Sequence, residues 1–394
     1  MPGTATASRR RSMARPDVSI IMPCYNAGRY IAAAIDSVMQ QAVDYQLIVV
    51  DDGSTDDTSA VLQRYAGRLQ VVSGDHAGVA HARNKALPHL QGDYTLLLDA
   101  DDALEPGALE TLLRATGGKD IVAYGRFSSW DASMQNRLEL HYAPRLRPSP
   151  FIFLSRGNFS PPGCMLFPGK AFDEVGGFDQ AVAGCEDWDF LIRLARAGYR
   201  FQRVNKPVFN YRRHLGSASN QAYRMYRSGC EVVRRCFRAD ERVLHDRYPQ
   251  GNRVDTLERN LLNYQASCFS LAVLVNDMDS AIRIMRELKF DQDTSLRAFG
   301  KCFKQGLWWY SITGMADRER LLQEAEHRAA GVIAQFVEDD ARLIEAMKAI
   351  LYPDFTQLLL RPGPKKALRL LREWRLARKV MHDSLQARAA GAEQ

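Results

Sequence analysis

The sequence predicts an α/β fold, a mainly parallel sheet flanked by helices, followed by an α-helical C-terminal domain. Three observations carry that prediction. From Asp17 to about Tyr124, short β-rich runs alternate with helix-period segments, the pattern of successive βαβ units. Turn-forming residues such as Asn26-Ala27-Gly28 and Gly92-Asp93 punctuate the alternation. After about Gly216 nothing strand-like recurs and apolar residues return at helical spacing, as in Leu257 to Val275 and Asp279 to Leu288. A chain of 394 residues exceeds what one core usually organises, so two domains are expected. The expected organisation is a disordered basic tail over 1–16, a sheet domain over 17–216 and a helical domain over 217–394.

Taken in order, Val18 to Met22 reads as a first strand, followed by a helix from Arg29 to Gln41. Gln46 to Val50 is a second strand and Thr55 to Tyr65 a second helix, with Ser54 or Thr55 placed to cap it. Leu69 to Ser73 is a third strand, and Val79 to Leu87 a helix closed by Pro88. Tyr94 to Leu98 is a fourth strand, and Pro106 opens a helix that runs to Arg114, where its missing N–H costs nothing. Ile121 to Tyr124 is a fifth strand. Between Ser128 and Pro162 the periodicity fades and the segment reads as a loop-rich excursion beside a binding cleft. Cys164 to Phe167, a helix from Glu186 to Ala197 and a strand pair from Arg200 to Tyr211 complete the domain. In the C-terminal half, Asn276 to Leu288 reads as one helix of a helical hairpin.

The bulk properties narrow the function. A composition 46% hydrophobic and 25% charged is that of a soluble globular protein, and a net charge of +7 is too modest at this length to imply nucleic acid. No run reaches the ~18 to 20 apolar residues of a membrane-spanning helix. Arg9, Arg10, Arg11 and Arg15 precede no apolar segment that could serve as a secretory core. The seven cysteines are odd in number and form no C-x-x-C pair, which argues against a disulfide framework or a zinc site and for a reducing cytoplasm.

Acidic residues stand where the second and fourth strands end, as Asp51-Asp52-Gly53-Ser54 and Asp99-Ala100-Asp101-Asp102. In an open α/β sheet, ligands collect beyond the carboxyl ends of the strands. Carboxylates gathered on one rim repel one another unless a cation compensates them. Oxygen-only ligands suit Mg²⁺ or Mn²⁺, which bind through one or two carboxylates plus a substrate's phosphates, so a phosphate-bearing substrate follows.

Four motifs in order, Val18 to Asn26, Leu47 to Asp56, Gly78 to Asn84 and Leu98 to Asp102, together resemble the family-2 glycosyltransferases of GT-A fold. Gly176 to Asp179, Cys185 to Phe190 and Tyr211 to His214 extend the resemblance, which covers residues 17 to 216. It implies a GT-A-like sheet and a metal-dependent, inverting transfer from a nucleotide-sugar donor, a UDP-sugar, to a hydroxyl of a glycan or lipid-linked acceptor. The donor-binding residues it implies are Pro23, Tyr25, Asn26, Asp51, Asp52, Arg83, Asp99 and Asp101. Tyr25 matches the residue that stacks near the base, and Asp52 the one that bonds base or ribose. Arg83 matches a basic position near the phosphates, its alternative being a solvated residue on a helix face. Asp99, Asp101, Asp102 and His214 match the surroundings of the metal. Asp187 matches the catalytic base, with Glu186 beside it; the alternative is carboxylates that complement a helix dipole. Neither a Q-x-x-R-W motif nor membrane helices follow the base, which implies a non-processive enzyme.

Beyond the resemblance, Ala367, Leu370, Leu371, Trp374 and Ala377 share one helical face, with Lys365, Arg369, Arg372 and Lys379 opposite. The basic segment 361–380 lies on an anionic membrane surface or packs on the helical domain. The expected location is cytoplasmic, with peripheral attachment to the inner face of the plasma membrane in the first case. Two other functions stay open: a catalytically silent scaffold, and a nucleotidyltransferase on a similar sheet, against which stands the absence of a Gly-rich basic loop after the first strand.

Overall fold

A computed structural model describes residues 15–214, 220–288, 299–300, 302–303, 306, 315–333 and 336. The basic segment 361–380 and most of the N-terminal tail lie outside them. The chain divides into two compact units: Met1–Phe127, Ser160–Gly177 and Tyr199–Asn210 form the first, and Ser128–Phe159, Phe178–Gly198 and Tyr211–Gln394 the second. The division falls at several points in the chain rather than once near residue 216, and it groups the Glu186 helix with the C-terminal helices.

In the first unit, β1 (Val18–Cys24) is the axis of the sheet. It pairs in parallel with β2 (Tyr45–Asp51) on one side and β4 (Tyr94–Leu97) on the other, and β2 pairs in parallel with β3 (Gln70–Ser73). Every residue of β1 is buried, as a parallel strand covered on both faces requires. Helices α1 (Ile31–Met39), α2 (Thr58–Gln63), α3 (Val79–Ala86) and α4 (Ala108–Thr116) make the crossovers. Beyond β4 the sheet turns antiparallel: β8 (Met165–Pro168) pairs with β4 and with β6 (Ile121–Trp130), and β5 (Ala103–Leu104) pairs with β9 (Arg200–Arg212). The strand order is β3-β2-β1-β4-β8-β6-β9-β5, a mixed sheet parallel over its first four strands.

Several elements differ from expectation for local reasons. β6 does not end at Tyr124 but runs on through Gly125, whose missing side chain is what lets it pass: a Cβ there would lie 2.5 Å from Val208 Cγ2. The expected strand pair from Arg200 is a single strand of 13 residues. Pro207 lacks an N–H, yet pairing continues at its neighbours, with Val208 O accepting from Glu105 N at 3.0 Å. Pro106 stands outside α4, because Gly107 in the left-handed region (φ 71°) occupies the N-cap. Ser54 and Thr55 do not cap α2, which starts at Thr58 after Asp57.

The second unit contains the excursion expected to be loop-rich, which holds β7 (Arg137–His141) and α5 (Pro150–Leu154). Ser149 caps α5, its Oγ accepting from Ile152 N at 3.2 Å. Helix α7 (Glu186–Ala197), after the short α6 (Ala171–Val175) of the first unit, has the predicted bounds. Trp188 Nε1 donates to Leu154 O at 2.8 Å and so ties α7 to α5. Helices α8 (Ala222–Arg235), α9 (Leu257–Leu274), α10 (Met278–Glu287) and α11 (Met315–Ile333) share a core that includes Phe269, Phe299 and Phe303. The expected hairpin is present between α9 and α10. Asn276 takes φ 60° and Asp277 N donates to Ala272 O at 2.8 Å, so the first helix ends in a left-handed residue and Asp277 caps the second through Ser280 N. No helix among the described residues is long and apolar enough to cross a membrane.

Candidate active site

Because β2, β1 and β4 are parallel neighbours, their C-terminal ends lie on one rim of the first unit. The turns after β1 and β2 are clasped together. Asn26 N donates to Ser54 Oγ at 2.9 Å, while Asn26 Oδ1 accepts from Thr55 N at 2.8 Å. Ala27 N reaches Thr58 Oγ1 at 2.9 Å and Gly28 N reaches Asp56 Oδ2 at 3.0 Å. Burial opposes ionisation of Asp56, but donors from Thr58 and Gly28 outweigh it and hold the carboxyl below its usual range. The side-chain oxygen of Asn26, expected at the donor, thus fixes the loop, and Asp51 does likewise, its Oδ1 accepting from Ser54 N at 2.9 Å. Pro23 pairs opposite Val50 inside the sheet. Beside it, burial and then the field of Asp51, Asp56 and Asp52 push the Cys24 thiol up to about 12, so it stays a thiol.

Tyr25 is 44% exposed at the end of β1, and its ring packs on His76 with centroids 4.0 Å apart and planes tilted by 33°. His76, which takes φ 55°, carried no motif in the sequence. It belongs to the 74–78 loop, and that loop is held by Asp52. Asp52 is 4% exposed and accepts from Ala77 N at 3.2 Å and Gly78 N at 2.8 Å. Gly74 is needed here, because a Cβ on it would lie 2.5 Å from Asp52 Oδ1. A carboxylate has about four acceptor positions, so with two donors bound Asp52 retains capacity for further donors.

The run after β4 separates its three acids. Asp99 and Asp101 are partly exposed, whereas Asp102 is 1% exposed, and its N–H turns back to Asp99 O at 3.1 Å. Burial withdraws Asp102 from the open rim; near it, burial pushes the Cys164 thiol up, with Asp102 adding to the shift. Arg83 is not the solvated helix residue of the alternative reading. It is 2% exposed and its Nη2 meets Asp99 Oδ1 at 2.7 Å, a charge-assisted bond that orients the carboxylate. Among the described residues no group of three or more His, Cys, Asp or Glu side chains is gathered to hold a metal by itself. Two half-exposed carboxylates fit an ion whose other ligands are phosphate oxygens, not an all-protein cage.

In the second unit, Asp187 stands in the first turn of α7 and is half-buried. Its Oδ1 accepts from Trp188 N at 2.7 Å and its Oδ2 from Asn158 Nδ2 at 3.2 Å. Glu186 is 4% exposed and accepts from Gly184 N at 2.6 Å, which turns it back onto the loop before the helix. His214 lies in this unit too, its carbonyl accepting from Asn220 Nδ2 at 2.9 Å. Asp189, one residue beyond Trp188, is the centre of a buried ion network. It pairs with Arg193 at 2.9 Å, Arg235 at 3.0 Å and Arg242 at 3.0 Å, and Arg242 also holds Asp179 and Asp240. That network joins α7 to the segment after α8, and only the three-dimensional pairing reveals it.

Comparison with known proteins adds the following. Residues 19–176 match the family described as Glycosyl transferase family 2, and residues 152–215 match the N-terminal domain of galactosyltransferase. The chain is 25% identical to the chondroitin synthase of Pasteurella multocida strain Pm70 over 284 residues, 70% of this chain and 28% of that protein. It is 28% identical over 202 residues to a hyaluronan synthase of Pasteurella multocida, 50% of this chain and 20% of the synthase. An uncharacterized glycosyltransferase of Rickettsia prowazekii, RP339, is 27% identical over 228 residues, 54% of this chain and 69% of the relative. The chain therefore spans less than a third of the length of the synthases it matches. In fold, it resembles S. aureus TarS 1-349 in complex with UDP-GlcNAc, with a TM-score of 0.51 at 18% identity, over 81% of this chain and 91% of that one.

Proposed function

From the membership of this chain in glycosyltransferase family 2 through residues 19–176, we propose that it moves a sugar from a UDP-sugar to a hydroxyl of a glycan or lipid-linked acceptor during polysaccharide assembly. The observation that carries the reading is the rim where β1, β2 and β4 end. There an exposed Tyr25, an Asp52 with spare acceptor capacity, Asp99 braced by Arg83 at 2.7 Å, and Asp101 follow the ends of neighbouring parallel strands. The relatives' names, chondroitin and hyaluronan synthase, and the UDP-GlcNAc bound by the fold neighbour support the substrate class.

In this reading Tyr25 and His76 offer an aromatic surface to the base, and Asp52 accepts from it while keeping the 74–78 loop in place. Asp99 and Asp101 hold Mg²⁺ or Mn²⁺, which when bound supplies Lewis-acid compensation of the diphosphate charge. Asp102 supports that turn from the interior, and His214 stays a candidate ligand. Asp187 is the base. The acceptor oxygen forms its bond to the anomeric carbon as the bond from that carbon to the diphosphate oxygen breaks. The electron pair leaves with the diphosphate and the acceptor proton passes to Asp187. One displacement inverts the configuration. Asn158 orients the Asp187 carboxylate, and Glu186 shapes the loop that precedes it.

A screen of UDP-sugars for UDP release, with Mn²⁺ or with excess chelator, tests the reading. Metal-dependent release and a product of inverted anomeric configuration are expected. Undiminished turnover in chelator would overturn the metal assignment, and a product of retained configuration would overturn the single displacement.

A further inference from the structure

Helix α8 places Arg224, Arg227, Glu231 and Arg234 at spacings of three and four residues, along one face. Together with Tyr223 and Ser228 they line a groove of about 850 Å³ in the second unit. The acids of the groove are engaged: Glu231 pairs with Arg235 at 3.3 Å and Arg238 at 2.8 Å, and Glu287 accepts from Tyr223 Oη at 2.7 Å. The arginines are not. Among the described residues Arg227 and Arg234 carry no ion pair, and Arg224 bonds only the neutral Gln221 Oε1 at 3.2 Å. All three are exposed.

The groove begins beside the residues that lead into α7. Ser228 Oγ donates to Ala183 O at 2.9 Å, and a Cβ on Gly184 would come within 3.9 Å of Arg224 Nε. Asp187 follows three residues later in the chain. From Arg224 to Arg234 the cations extend along about 15 Å of helix, a length that a single small anion does not bridge. Guanidinium groups match carboxylate and phosphate oxygens in bidentate geometry, while the Tyr223 ring is held in place by Tyr226, stacked at 5.9 Å, and by Arg283 over it at 5.5 Å.

We propose that this groove holds an acceptor chain that is itself anionic, a saccharide carrying carboxylate or phosphate groups along its length, and that Arg224, Arg227 and Arg234 bind those groups. The inference rests on the transferase reading, since it names the class of acceptor. It makes the charge of the growing chain, beyond its terminal sugar, a determinant of recognition.

The test uses the full chain and measures affinity for an oligogalacturonate decamer, a phosphodiester-linked oligosaccharide and a neutral dextran oligosaccharide of equal length. The variant Arg224→Gln/Arg227→Gln/Arg234→Gln is compared with a control, Arg64→Gln/Arg114→Gln/Lys119→Gln, that removes equal charge from exposed positions of the first unit. The groove variant is expected to lose at least tenfold for one or both anionic chains, the control to stay within twofold of wild type, and dextran to bind neither. Which anionic arm responds identifies carboxylate or phosphate as the group bound. Equal losses in both variants, no loss in the groove variant, or equal binding of dextran overturns the proposal. So does capture of wild type by phosphatidylglycerol vesicles with no binding of either saccharide. UDP titration of the same wild-type preparation in Mn²⁺ separates the two claims: absent UDP binding overturns the donor reading, whatever the groove does.

Discussion

Asp99, Asp101 and Asp102 are alike in sequence and differ in surroundings. Asp99 is braced by Arg83, Asp101 is partly exposed, and Asp102 is 1% exposed. Asp101→Asn is therefore expected to weaken UDP binding in Mn²⁺ by more than tenfold and to lower turnover with it, which calorimetry and UDP release measure together. Asp187→Asn should behave otherwise, because it preserves shape and can keep the bond accepted from Trp188 N, with Asn158 turning its amide oxygen to the new NH2, but takes no proton. Donor affinity is expected within about threefold of wild type while the transfer rate falls by roughly 10²- to 10⁴-fold. Full activity in that variant would send the search for a base to Glu186. At this scale a motif singles out residues by type, as it does Tyr25 and Asp101, and their surroundings come only from the structure. The sequence was silent on His76, which follows no motif and reaches Tyr25 only because Asp52 folds the loop. It also did not reveal which of three neighbouring acids turns inward, since burial is decided by the chain behind the rim.

Among the elements, helices and central strands were legible because their apolar periodicity is strong, and α7 has the predicted bounds. The strand expected to end at Tyr124 and the strand pair expected from Arg200 are both longer single strands, which run through Gly125 and Pro207. The ion network at α7 was illegible because its partners, Asp189, Arg235 and Arg242, are distant in sequence. Removing Asp189 takes from the buried Arg193 its ion-pair partner at 2.9 Å and breaks the links to Arg235 and Arg242, so Asp189→Ala should cost about 3–5 kcal/mol in urea unfolding. The acids of the network also set a pH dependence. Burial raises the carboxyls of Asp179 and Asp240, but backbone donors and the arginines Arg235 and Arg242 overcome it and hold both below their usual range. Groups depressed in the folded state add stability that is complete above the unfolded carboxyl range near ~4 and is lost as pH falls through the folded values. Thermal unfolding from pH 6 to 2.5 should show that loss setting in below about pH 4, and less steeply in Arg242→Gln. Parallel slopes would remove the network from the account.

For the molecule as a whole, the last strand among the described residues ends at Arg212, and the chain groups otherwise than in one sheet domain over 17–216. Ser128–Phe159 and Phe178–Gly198 belong with the C-terminal helices, and no local pattern in those segments announces it. A fragment of residues 1–216 lacks Arg235 and Arg242, so Asp179 and Asp189 lose partners. Such a fragment is expected to bind UDP through the rim but to show α7 exposed to proteolysis, which mass spectrometry of the cleavage products reads directly. Heredity meets the same constraint as the bench. A gene fusion or recombination event that exchanged the helical half with that of another chain would have to bring arginines able to meet Asp189 from across the junction. On the proposal made above for α8, acceptor preference is less easily traded as a cassette than altered by point substitution along its exposed face.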